Sequence, residues 1–161
     1  MIAKLSVALR DEKKINASLK AVLGNSFSKE IGLSGLFYDQ HIVIQLIRAG
    51  IPYSLFELIQ KVTPLTEAEW SEFLEISLKT FSRYKADERS FKPIHSEKIL
   101  EIAEVSLLGL EVFGSMEKFK TWLETPSFAL GNDKPIDLMK DSYGKELVIG
   151  ELTRIEHGIF A

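Results

Sequence analysis

Residues 66–85 read TEAEWSEFLEISLKTFSRYK, and this stretch decides the fold. Thr66 followed by Glu69 has capping-box spacing, in which a hydroxyl and a carboxylate each satisfy an orphan backbone N–H at a helix start. Trp70, Phe73 and Leu74 then recur at helical spacing as one apolar face. Ser77, only three residues after Leu74, is the next candidate N-cap. Two short helices therefore meet across a tight turn, the outline of a helix-turn-helix. In the second of them Leu78, Phe81 and Tyr84 recur on the face expected to turn toward the core. Ser77, Lys79, Thr80, Ser82, Arg83 and Lys85 are left outward, as side chains able to contact phosphates and base edges.

The local charge agrees with that division. Residues 77–98 hold six basic residues against three acidic ones, whereas residues 65–76 hold four glutamates and no base. A solvated basic helix is the plain alternative, and the tight turn and paired caps argue against it. The acidic first helix points to weak or dimer-dependent DNA binding, because one basic helix makes few phosphate contacts and a two-fold dimer doubles them.

Upstream, Ile42, Val43, Ile44, Leu46 and Ile47 predict a helix that begins near His41 and stops at Gly50 and Pro52. Ser54 and Glu57 repeat the capping-box spacing and open a helix through Leu55, Phe56, Leu58, Ile59 and Val62, closed by Pro64. Residues 1–40, with Gly24, Gly32 and Gly35 and no long periodic run, read as a loose N-terminal arm.

Downstream of Pro93, residues 94–113 are apolar over most of their circumference, so this helix is central or pairs with another chain. Gly114 ends it and Ser115 caps a helix with Phe119, Trp122 and Leu123, broken at Thr125-Pro126. A loop over 127–134, a short helix from Pro135, and a last helix over about 145–157 with Leu147, Val148, Leu152 and Ile155 inward complete the chain, with Gly158 as its C-cap. No segment alternates with period two for long enough to make a strand. The class is all-α, divided as residues 1–40 (arm), 41–100 (helix-turn-helix, DNA-binding) and 101–161 (helical, for dimerisation and partner binding).

Composition narrows the function. Apolar residues are 45% and charged residues 27% of 161, with a net charge of -3. These are globular proportions, and they leave nucleic-acid binding to a local basic surface. The absence of cysteine removes disulfides, thiolate metal sites and a Cys nucleophile. No stretch approaches the roughly 20 apolar residues of a membrane span, and the N-terminal apolar run is short for a signal peptide, so a cytoplasmic protein is expected. The histidines, 41, 95 and 157, have no metal-ligand spacing, and the glycines form no phosphate-cradling loop. No catalytic residue, metal or cofactor is expected, and no small-molecule substrate.

Several segments in one order resemble the Xre/MbcA/ParS-type antitoxins. Ile76-Ser-Leu-Lys-Thr-Phe-Ser-Arg-Tyr-Lys85 resembles the family's recognition helix. Glu111-Val-Phe-Gly114, Trp122-Leu123, Ala129-Leu-Gly131, Pro135-Ile-Asp-Leu138, Gly144 and Leu152-Thr-Arg-Ile-Glu-His-Gly158 resemble its toxin-binding region. The likeness spans roughly residues 42–158. It implies a homodimeric type II antitoxin, an Xre-like helix-turn-helix core with a C-terminal toxin-binding domain. Its usual partner is a RES-domain toxin, which degrades NAD or transfers ADP-ribose from it, and the helix-turn-helix represses the pair's promoter through operator DNA. The toxin-binding residues it implies are Leu130, Gly131, Pro135, Arg154, Glu156, His157, Gly158, Ile159 and Phe160. Asn132 stands where a second glycine is expected, a departure that matters if the loop needs left-handed backbone. The other reading of the same residues is a stand-alone dimeric helix-turn-helix repressor with no toxin, which leaves the segments after Trp122 without a purpose.

Overall fold

A computed structural model of the chain describes residues 2–24, 27 and 30–158. Among the described residues there is no β-strand, only two isolated bridges, Pro52 to Ser90 and Ser127 to Asp133. The described residues form ten α-helices in order: α1 (Ile2–Leu23), α2 (Gly32–Leu36), α3 (Gln40–Ala49), α4 (Tyr53–Gln60), α5 (Glu67–Phe73), α6 (Leu78–Ala86), α7 (Pro93–Phe113), α8 (Met116–Glu124), α9 (Pro135–Leu138) and α10 (Ser142–Glu156), with a 3-10 turn at Phe128–Leu130. Among the described residues no helix is long and apolar enough to cross a membrane.

The long apolar run becomes the centre of the molecule. Ile99, Leu100, Ile102, Ala103 and Val105 of α7 are all buried, and α3, α8 and α10 pack around it. Its circumference is apolar because neighbours cover it on several sides. Each fully covered Ile, Leu or Val contributes on the order of 2 kcal/mol of transfer free energy.

The arm expected over residues 1–40 is instead part of the body. Ile15 and Leu19 of α1 are buried, as are Phe27, Leu33 and Leu36, and α1 packs on α2, α3 and α4. The Asn16 side-chain oxygen accepts from the backbone N–H groups of Ile31 and Gly32 at 3.2 and 3.0 Å, so α1 satisfies the orphan donors at the start of α2. Asp11 also pairs with Lys61 at 3.5 Å. Ile15 and Leu19, four positions apart, lie on one face of α1 and are buried.

Two helix starts differ from expectation. Pro52, not Ser54, is the N-cap of α4 and makes no side-chain cap. The Tyr53 N–H donates instead to the Arg89 carbonyl at 3.1 Å, a tertiary partner that sequence spacing does not show. The last helix starts three residues early, because Asp141 caps it by accepting from the Gly144 N–H at 2.7 Å. Gly144 therefore lies inside α10, where its missing side chain lets the helix approach the end of α9. Val148 and Leu152 are buried as expected, but Leu147 faces outward, 57% exposed. The expected caps at Thr66, Ser77 and Ser115 are all present.

Candidate nucleic-acid and partner-binding surfaces

The first surface is built on α5 and α6. Thr66 and Glu69 form the complete reciprocal box at the start of α5. The turn passes through Glu75 in left-handed backbone, φ 52°, a conformation that costs a non-glycine residue about 1 kcal/mol. Hydrogen bonds hold it closed: Ile76 N–H to Ser71 carbonyl at 3.1 Å, and the Ser71 hydroxyl to the Ile76 carbonyl. Ser77 then caps α6 by accepting from Thr80 N–H at 3.1 Å.

An aromatic cluster fixes how α6 is presented. Phe81 of α6 is fully buried against Phe56, with ring centroids 5.4 Å apart, and Phe56 meets Trp70 and Phe91 at 4.9 Å each. Tyr84 stacks on Phe91 at 4.6 Å with nearly parallel planes. Phe91 lies beyond the motif and carries no periodic signal, so the sequence reading missed it. Edge-to-face and offset contacts of this kind add about 1 kcal/mol per pair beyond area burial.

With Phe81 inward, Ser77, Lys79, Ser82, Arg83 and Lys85 stand exposed and Thr80 is half-buried. Lys79, Arg83 and Lys85 have no ion-pair partner among the described residues, whereas Arg89 pairs with Asp87 at 3.0 Å. Leu78 does not join the core as expected: it is the first residue of α6 and 52% exposed, and the inward face is carried by Phe81, fully buried, with Tyr84 half-buried beside it.

The acidic character of α5 has a structural use. Glu69 pairs with Lys120 of α8, and Glu72 pairs with Lys140 after α9 at 2.8 Å. Partial burial works to raise the Glu69 carboxyl pKa, but the Lys120 ammonium and the Thr66 N–H hold it below the ordinary value. Two of the four glutamates therefore pair with lysines of the C-terminal part of the chain. They tie the two halves of the chain together, and their charge is directed away from α6.

The second surface lies after Thr125. Ser127 N–H donates to the Asp133 carbonyl at 3.0 Å and Asn132 N–H to the Ser127 carbonyl at 2.8 Å, closing a small loop around the 3-10 turn. Gly131 and Asn132 both take left-handed backbone, φ 73° and 67°, so asparagine adopts here the geometry for which a glycine was expected. Leu130 points inward, 9% exposed, while Phe128 stands 85% exposed. The loop packs against α10.

Of the other expected residues there, Pro135 is buried and Gly131, Arg154, Glu156, His157 and Gly158 are exposed. Arg154 pairs with Glu151 at 3.7 Å. The His157 ring nitrogen Nδ1 lies 2.7 Å from the Thr153 carbonyl. Ile159 and Phe160 lie outside the described residues. Phe128 was missed in sequence because an isolated aromatic in a loop carries no periodicity.

A capped helix-turn-helix with an unpaired basic face, tied by ion pairs to a helical segment that displays a closed loop, defines a two-surface binding protein of helix-turn-helix class. Residues 42–104 match the antitoxin Xre-like helix-turn-helix domain, and residues 108–158 match the antitoxin Xre/MbcA/ParS C-terminal toxin-binding domain. The chain is similar to an antitoxin Xre of Yersinia enterocolitica serotype O:8 / biotype 1B, 26% identical over 121 residues that cover 74% of this chain and 82% of the relative. It is also similar to an antitoxin Xre of Photorhabdus laumondii subsp. laumondii, 24% identical over 115 residues, 71% and 78% of the two chains. The chain is an antitoxin of a toxin–antitoxin system with a helix-turn-helix domain, a regulatory protein and not an enzyme. The toxin-binding match also gives the segments after Trp122 a purpose, which the stand-alone repressor reading does not.

Proposed function

We propose that the chain acts as a cytoplasmic homodimer that neutralises a RES-domain toxin and represses the promoter of its own gene pair. Ser77, Lys79, Thr80, Ser82, Arg83 and Lys85 contact operator DNA. Gly131, Arg154, Glu156, His157 and Gly158, followed by Ile159 and Phe160, contact the toxin, while Leu130 and Pro135 hold the loop from behind. The supporting observation is Phe128: a large aromatic side chain, 85% exposed, on a loop closed by its own hydrogen bonds within the matched toxin-binding segment. A rigid, protruding aromatic ring is the kind of anchor that concentrates binding energy when a partner pocket desolvates it.

A RES-type toxin consumes NAD, so the test is NAD turnover by the adjacent gene's product, titrated with full-length antitoxin. Wild-type chain should inhibit it near stoichiometrically. Phe128→Ala combined with Arg154→Glu should raise the concentration for half inhibition by about tenfold or more. Undiminished inhibition by the double variant would contradict this surface.

A further inference from the structure

Leu78 is an anomaly on α6. The outward residues of that helix are polar or small apart from this one, and the cap formed by Ser77 fixes its backbone as the first helical residue. The Ser82 hydroxyl donates to the Leu78 carbonyl at 2.9 Å, so the two residues sit one turn apart on one face. Side chains of a helix tilt toward its N-terminus. A leucine at the first position therefore projects past the start of α6 and leaves the aromatic core behind it to Phe81.

A recognition helix enters the major groove with its N-terminal residues at the base edges. There the one apolar feature is the C5 methyl of thymine, which aliphatic side chains contact. We propose that Leu78 reads a thymine methyl in the operator, flanked by Lys79 and Arg83 on the phosphates. The inference rests on the recognition-helix assignment and adds to it a base and an atom: a thymine, read through its methyl group, in each half-site. It also accounts for a leucine left 52% exposed on a helix whose other outward residues are polar or small.

The test starts from duplexes enriched from a random pool by the purified full-length chain. Each thymine of the enriched site is replaced in turn by uracil, which removes only the methyl, and affinity is read by mobility shift. One position per half-site should weaken wild-type binding roughly fourfold, the effect of leaving one methyl uncovered. Leu78→Ala should bind thymine and uracil duplexes equally at that position. Leu78→Met, which keeps an apolar chain, should retain a preference for thymine. Equal wild-type affinity for thymine and uracil at every position, or an unchanged preference in Leu78→Ala, would overturn the proposal. Binding lost in Lys79→Glu/Arg83→Glu but insensitive to uracil would overturn the Leu78 role and leave the recognition helix standing; indifference to both would overturn the helix assignment as well.

Discussion

Reversing charge at two positions of α6, Lys79→Glu with Arg83→Glu, is expected to lower operator affinity on the order of 100-fold or more at moderate salt. Both side chains are exposed and neither has an ion-pair partner among the described residues, so their charge is free for phosphate. In a two-fold dimer the change acts four times, and each lost phosphate contact flattens the dependence of affinity on salt by about one unit of slope. A mobility-shift titration at several salt concentrations reads both quantities. The fold should not suffer. Lys79 lies in the first turn of α6, where a glutamate is favoured by the helix dipole, and substitutions at exposed, unpaired sites stay within about 0.5 kcal/mol. Toxin inhibition should persist, because α6 is not part of the loop and last helix proposed to carry it. An unchanged shift and an unchanged salt slope would refute the assignment of α6.

The second large effect concerns stability. A Cβ on Gly144 would lie 1.9 Å from the Leu138 carbonyl oxygen and 2.7 Å from its carbon, so Gly144→Ala forces the end of α9 away from the start of α10. Backbone is the obstacle, and rotating a side chain gives no relief. The same junction is held by Lys98, whose ammonium donates to the Met139 and Lys140 carbonyls at 3.5 and 3.3 Å, and by the buried Val148 and Leu152 that seat α10 on α7. Overpacking of this severity costs about 3 kcal/mol, which lowers Tm by about 10 °C in a chain of this size. Gly150 gives the control: it lies in the same helix and a Cβ added there would meet no atom within 4 Å, so Gly150→Ala should stabilise by about 0.5–1 kcal/mol through helix propensity. Thermal unfolding of the three proteins side by side checks the pair. If Gly144→Ala melts with the wild type, the tight α9 to α10 junction is wrong. For the same reason, deleting everything after Gly144 is a poor probe of toxin binding, since it strips Val148 and Leu152 from the core.

What could be read from sequence follows from how local each feature is. The caps at Thr66, Ser77 and Ser115, the Pro135 helix start and the central position of α7 depend on residues within one or two turns, and all were legible. Features that depend on distant partners were not. Tyr53 N–H finds Arg89, Glu69 and Glu72 find Lys120 and Lys140, and Asn16 caps α2 from a neighbouring helix; no spacing rule connects such residues. The N-terminal segment reads as an arm because Gly24, Gly32 and Gly35 interrupt it and no long periodic run crosses it, yet Ile15 and Leu19 are buried and Asp11 reaches Lys61. At the candidate sites, helical periodicity separated Phe81 from Lys79 and Arg83. It assigned Leu78 to the wrong face, since a first-turn residue points beyond the helix end and escapes the heptad logic that governs its interior. Phe128 and Phe91, each in irregular backbone, gave no periodic signal at all.

Engagement of a duplex and a toxin by two separate surfaces of one non-enzymatic chain is what we propose. It is tested most directly by co-expressing the full chain with the product of its adjacent gene and measuring growth, complex formation on a pull-down, and cellular NAD. The account predicts restored growth, a co-purifying complex and NAD held at the level of cells without toxin, for the wild type and for Lys79→Glu/Arg83→Glu alike. Continued NAD loss and no complex, with both proteins present in quantity, would contradict it.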